Sequence, residues 1–236
     1  VARRATTAER KIRSPLSIDR LIESQPWDGL VPILEHAGAE PSSVIPKLKA
    51  FVRLLLEWNR GASNLISRHD ERRIVERHVR ESLLPAAWLK ESGARVWLDL
   101  GSGGGFPAIP LVMAGVGESW TLVESRRSKT LFLRKLLQDL AIGHVGVEQA
   151  RLEDMIGNPL LIGKFDGFTS RATMRLQPTL ELAAPLVRVG GRAFLWKGSG
   201  HTAELIEAGS WRDHWRPEWA RTLDGGPASV LNLVRL

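Results

Sequence analysis

The stretch VWLDLGSGGGFPAIPL, residues 96–111, decides how the rest of the chain is read. An apolar run carries one acid, Asp99, and ends in a glycine cluster: Gly101, Gly103, Gly104 and Gly105. An apolar segment then opens with Phe106-Pro107. A buried strand that delivers such a turn to a helix start is the ligand site expected of an open parallel sheet. Glycines let a ligand approach the backbone closely and permit positive φ. The dinucleotide pattern G-x-G-x-x-G fails, because Phe106 stands where the third glycine should be. The Gly-Lys-Ser/Thr of a phosphate loop is absent too. A second acid, Glu124, closes the next strand-like run, TLVES, 23 residues after Gly101. A carboxylate there accepts from two vicinal ribose hydroxyls. With no basic group in the loop to meet a pyrophosphate, a nucleoside with a cationic or zwitterionic tail fits. S-adenosylmethionine is the common ligand of that kind, and Asp99, Gly101, Gly103, Gly105 and Glu124 are its expected binding residues.

From Arg95 onward short apolar runs alternate with helical patterns. The strands are RVWLDL, SWTLVES, HVGVEQA, FDGFTSRA and GRAFLWKG; the helices are PAIPLVMAG, RSKTLFLRKLLQDLA and LQPTLELAAPLV. This alternation implies crossover units and a doubly wound, mostly parallel sheet. Two extended runs around Gly225-Gly226-Pro227 predict an antiparallel hairpin at its edge. Upstream, the spacing of Ile45, Leu48, Phe51, Val52, Leu55 and Trp58 predicts a helix capped by Ser42-Ser43, with Pro46 in its first turn. A second helix is expected from about Asp70 to Trp88, broken near Pro85. The chain thus divides into a basic arm (1–15), a helical region (16–89) and an α/β core (90–236).

Net charge is +7 over 236 residues, and residues 1–20 carry six basic groups against two acids. A basic tail suits either a polyanion partner or a solvated, disordered arm with no specific partner. The absence of cysteine excludes disulfides, thiolate metal sites and cysteine nucleophiles. No secretory leader pattern and no run of membrane-spanning length is read, so a cytoplasmic protein is expected. The six histidines are scattered without ligand spacing, and no metal is expected.

The glycine stretch resembles the first motif of class I methyltransferases. In its Gly-Phe-Pro and Ile-Pro detail it is similar to the bacterial 16S rRNA guanine-N7 methyltransferase family (RsmG, also called glucose-inhibited division protein B). WNRGASNLIS at 58–67, RHVRES at 77–82, ESRRSKTLFL, ARLED, FDGFTSRA and LWKG follow in that family's order. The resemblance implies a Rossmann-like core of seven strands. It implies methyl transfer from S-adenosylmethionine to one guanine of 16S ribosomal RNA, with that RNA or the small subunit as partner. It also implies Gly101, Phe106, Leu152, Glu153 and Arg171 near the cofactor, and Lys129, Arg151 and Lys197 facing cofactor or RNA. Two departures stand out: Glu81 replaces the usual Asp, and the last hairpin turn, DGGPAS, has no basic residue.

The chemistry points the same way. Carbon-5 methylation of pyrimidines commonly needs a cysteine, and there is none. SRATMRL, from Ser170, replaces the Asn/Asp-Pro-Pro loop of adenine amine methylation. Guanine N7 carries an exposed lone pair and needs no proton removed, so positioning suffices. No general base is expected, and Arg171 is the candidate to stabilise charge on the neighbouring carbonyl oxygen. Arg134 and Lys135 read as a solvated helix face, His78 as a packed histidine, and Trp211, Trp215 and Trp219 as helix packing. The competing functions are a class I methyltransferase for a small molecule or protein, and a catalytically silent RNA-binding module. A monomer is expected, because a large RNA needs one open face.

Overall fold

The structure, a computed structural model, describes residues 17–61, 64–171, 174–207 and 209–236. The basic arm expected at 1–15 lies outside them. A seven-stranded sheet runs in the order β3-β2-β1-β4-β5-β7-β6. Its strands are β1 (Val96–Leu100), β2 (Ser119–Val123), β3 (Val145–Glu148), β4 (Phe165–Arg171), β5 (Val187–Lys197), β6 (Trp215–Thr222) and β7 (Ser229–Arg235). The pairings among β1 to β5 are parallel. β7 is antiparallel to both β5 and β6. The doubly wound sheet with an edge hairpin is therefore as the alternation predicts. Strand order reverses at β1, with β2 on one side and β4 on the other, which puts a ligand crevice above the glycine turn.

Alternation along β1 sends Trp97 to one face and Leu98 to the other, each into its own apolar core. Trp97 stacks on Trp120 of β2, with centroids 5.1 Å apart and planes 11° from parallel. Gly167 of β4 makes room for that ring, since a Cβ there would lie 2.3 Å from Trp97 Cε3. The N-terminal helices share the Trp97 core, where Leu48, Phe51 and Leu55 join Ile109 and Phe132. That core runs unbroken across the chain position near residue 90.

Two helical expectations are corrected. The long helix begins at Pro41 and runs to Gly61, so Pro46 lies inside it rather than in the first turn. Glu40, not a serine, satisfies its start: the Ser42 N–H donates to Glu40 Oε1 and the Val44 N–H to the Glu40 carbonyl. The expected helix over 70–88 is divided into Arg68–Glu71, a π-helical segment Ile74–Arg80, Glu81–Leu83 and Ala86–Glu91. π-helical turns are rare and gather at functional sites. The three tryptophans at spacing four are corrected as well. Trp215 and Trp219 sit on β6, and Trp211 on a short 3-10 turn. Spacing of four suits a strand face as well as a helix face, and Pro217 is tolerated on the edge strand.

Candidate functional site

A cavity of about 560 Å3 opens above the carboxyl ends of β1 to β4. Its floor is the glycine turn. Gly101 and Gly103 take φ of +71° and +51°. Glu124, 6% exposed, holds the turn from the end of β2. Its Oε2 accepts from the Gly103 N–H at 3.1 Å, and its Oε1 from the Arg126 N–H at 2.8 Å. Each oxygen keeps a lone pair for a ligand hydroxyl. Phe106, Lys129, Arg151, Leu152 and Glu153 complete the wall that the sequence anticipated. A Cβ on Gly104 would lie 3.3 Å from Leu55 Cδ1 and 3.6 Å from Leu65 Cβ, so the turn packs closely against the helical region.

Two expected ligand contacts lie beneath the cavity instead of on its wall. Gly105, at φ +90°, is there for packing: a Cβ would fall 2.8 Å from Ile109 Cγ1. Asp99 is fully buried, with Oδ1 accepting from the Thr169 hydroxyl at 2.7 Å and Oδ2 without a partner. Burial pushes its carboxyl up to about 7. The sign follows from linkage. The folded state binds this proton between about pH 4 and 7 where the unfolded chain has lost it, so the contribution to stability falls as pH rises through that window. Asp99→Asn removes this falling limb. The variant's unfolding free energy is expected to gain on wild type from pH 4 to pH 7 and to run parallel above it, as urea titrations at successive pH values would show. A constant difference across that range would place the carboxyl's titration in the ordinary range.

Two expected cationic contacts are engaged inside the protein. The Lys197 Nζ donates to the carbonyl of Met174, a wall residue, at 2.8 Å and pairs with Glu204 at 2.9 Å; Lys197 itself lines the neighbouring cavity over the ends of β4 and β5. Arg171 reaches the cavity wall, but its guanidinium turns to the π-helical segment. It donates to the Arg77 carbonyl (2.9 Å), the His78 carbonyl (3.3 Å), Ser82 Oγ (3.4 Å) and Glu81 Oε2 (2.6 Å). All four N–H bonds of the two terminal nitrogens point at protein acceptors, so a fork free to stabilise charge on a base is not what the geometry offers. Arg134 and Lys135 do face solvent, as expected.

Three further wall residues, Leu65, Ile66 and His78, come from the helical region. Asn59 places the first two: its Oδ1 accepts from the Leu65 N–H (2.7 Å) and the Ile66 N–H (3.1 Å), and its Nδ2 donates to Glu71 (2.8 Å). The His78 ring stacks on Phe106 at 5.1 Å. Burial first, and the Arg171 charge second, lower it to about 4, so the imidazole is neutral near pH 7. The WNRGASNLIS and RHVRES motifs carried the signal for these residues. Their contacts with the glycine turn required the fold.

Among the described residues, no group of three or more His, Asp or Glu side chains could hold a metal, and no helix is long and apolar enough to cross a membrane.

Comparison with known proteins fits this geometry. The GidB family model, described as rRNA small subunit methyltransferase G, matches residues 44–211. A ribosomal RNA small subunit methyltransferase G from Rhodopseudomonas palustris (strain BisA53) is 38% identical over 198 residues, covering 80% of each chain. One from Sorangium cellulosum (strain So ce56) is 37% identical over 202 residues, covering 84% of this chain and 83% of its own. Among solved structures, an O-methyltransferase from Bacillus cereus in complex with SAH matches with a TM-score of 0.55 at 16% identity. It covers 78% of this chain and 90% of that one, and it shows the fold.

Proposed function

The chain belongs to the rRNA small subunit methyltransferase G family, and on that premise we propose that it transfers a methyl group from S-adenosylmethionine to the 7-nitrogen of one guanine in 16S ribosomal RNA. The observation that carries this reading is the Glu124-braced glycine floor, whose cradle, acid and basic rim suit an adenosyl ligand with a zwitterionic tail. The cofactor supplies an electrophilic methyl carbon bonded to a sulfonium.

The residues of this chain bind and orient. Glu124 takes the ribose hydroxyls, Leu152 and Glu153 flank the adenine, and Gly101 and Gly103 let the amino-acid tail lie against the backbone. Phe106, backed by His78, limits water at the reacting end. Guanine N7 attacks with its own lone pair, so no side chain is needed as a base. Proximity and alignment carry the rate. Lys129 and Arg151, at the rim, meet RNA phosphate or the cofactor carboxylate. Arg171 acts here as a positioning residue rather than as a donor to the base. The enzyme works as a monomer in the cytoplasm, where one open face can meet a ribosomal particle.

The test uses radiolabelled S-adenosylmethionine with two acceptors: small subunits and free 16S RNA from a strain lacking its own guanine-N7 activity. A single labelled 7-methylguanosine is expected after digestion to nucleosides, with labelling that weakens steeply as salt rises. Label in a protein or small molecule, with none in RNA, would overturn the reading.

A further inference from the structure

Beside the cofactor cavity, along the same carboxyl edge of the sheet, lies a second cavity of about 560 Å3. The first spans β1 to β4. The second spans the ends of β4 and β5 and the turn joining β6 to β7. The two share His78 and Arg171. One wall of the second is the π-helical segment, which presents Arg77 and Arg80. The facing wall is the hairpin turn, which presents Asp224 and Pro227. Arg80 and Asp224 form an ion pair across the gap.

We propose that this second cavity receives the target guanine, with its N7 and O6 edge toward the His78–Arg171 wall and its N1–H and N2–H2 edge toward the Asp224 carboxylate. This assignment rests on the methyltransferase reading above.

Three features support it. First, transfer requires the attacking nitrogen within about 3–3.5 Å of the methyl carbon. The base must therefore sit in a space that opens onto the cofactor cavity. The second cavity meets this condition, since it shares the His78 and Arg171 wall with the first. Second, the base must leave its stack to reach any such pocket, and a volume of about 560 Å3 has room for a purine ring. Third, the hairpin wall offers an acceptor, the Asp224 carboxylate, that can read the far edge of the base. Guanine presents acceptors N7 and O6 on one edge and amino and imino donors on the other, whereas adenine has neither donor at those positions. An aspartate facing the far edge therefore favours guanine. When the base takes up Asp224, the Arg80 guanidinium is left for an RNA phosphate, a contact that orients without reading sequence. The turn DGGPAS thus has a use that needs no basic residue: it supplies an acceptor and a wall.

Two variants test the pocket. Pro227→Trp places a bulky ring in the cavity from an exposed turn position. Asp224→Asn keeps the shape, because Asn tolerates the positive φ of 49° found there, and removes the charge. Affinity for S-adenosylhomocysteine, measured by calorimetry, is expected to stay within about twofold of wild type for both. kcat/KM for methyl transfer to the RNA substrate is expected to fall more than 100-fold in Pro227→Trp and at least tenfold in Asp224→Asn. Wild-type kcat/KM in Pro227→Trp would overturn the proposal. So would a loss of S-adenosylhomocysteine affinity that tracks the loss of activity in both variants, since the turn would then be supporting the cofactor site. A wild-type protein that binds S-adenosylhomocysteine but labels no RNA would instead sink the RNA reading, and the guanine pocket with it.

Discussion

Replacing Arg171 with alanine is expected to destabilise the whole protein and to remove activity with it. The guanidinium joins the end of β4 to a segment some 90 residues earlier in the chain through four hydrogen bonds. Its side chain is 13% exposed and that of its ion-pair partner Glu81 is 25% exposed. Alanine removes the guanidinium from that carboxylate and from the Arg77 carbonyl in a poorly solvated place, while the His78 carbonyl keeps the Ser82 hydroxyl and the Glu81 N–H. Losing one member of such a pair costs about 3 kcal/mol. For a chain of this size that is a drop in Tm of roughly 10 °C. Arg171→Lys is expected to recover less than half of the loss, because an ammonium cannot present the same fork to carbonyls, hydroxyl and carboxylate at once. Thermal melts and cofactor titrations read both effects. A normal Tm and normal cofactor affinity, with kcat alone reduced, would return the guanidinium to the reacting base.

Glu124→Gln is expected to lower S-adenosylhomocysteine affinity by about 10- to 100-fold, or about 1.5–3 kcal/mol. The carboxylate accepts from two backbone N–H groups on opposite sides. An amide keeps one acceptor, so its nitrogen must oppose either the Gly103 or the Arg126 N–H, donor to donor. The glycine turn loosens at the point where the ribose is held. Calorimetry checks the affinity, and a melt without ligand is expected to drop by about 2–8 °C, because one buried backbone N–H loses its acceptor. Unchanged affinity would show that the ribose lies elsewhere.

These two residues also mark how far the sequence could be read. Glu124 was legible because its bracing of the turn is local: an acid ending a strand, at a set distance from a glycine turn, has the same surroundings in any sheet of this topology. The glycine cluster, the strand alternation and the closing hairpin were legible for the same reason. Periodicity and turn chemistry act over a few residues, and parallel strands joined by helices leave few arrangements. The family resemblance marked the stretches that hold Asn59 and His78, without their partners.

What the side chains touch was decided by the tertiary structure. Nothing near Arg171 in the chain shows that its acceptors are Arg77, His78, Ser82 and Glu81. A lysine at a strand end reads as a free cation until Glu204 is folded against it. Asp99 sits two residues before the glycines, as a ligand residue should, but strand pairing carries it under the turn against Thr169. The π-helical segment replaced one continuous helix because its carbonyls and apolar side chains are fixed by β4 and by the core, both distant in sequence. Charge and spacing belong to the chain. Burial, and therefore which charges remain free to meet a ligand, belongs to the packed molecule.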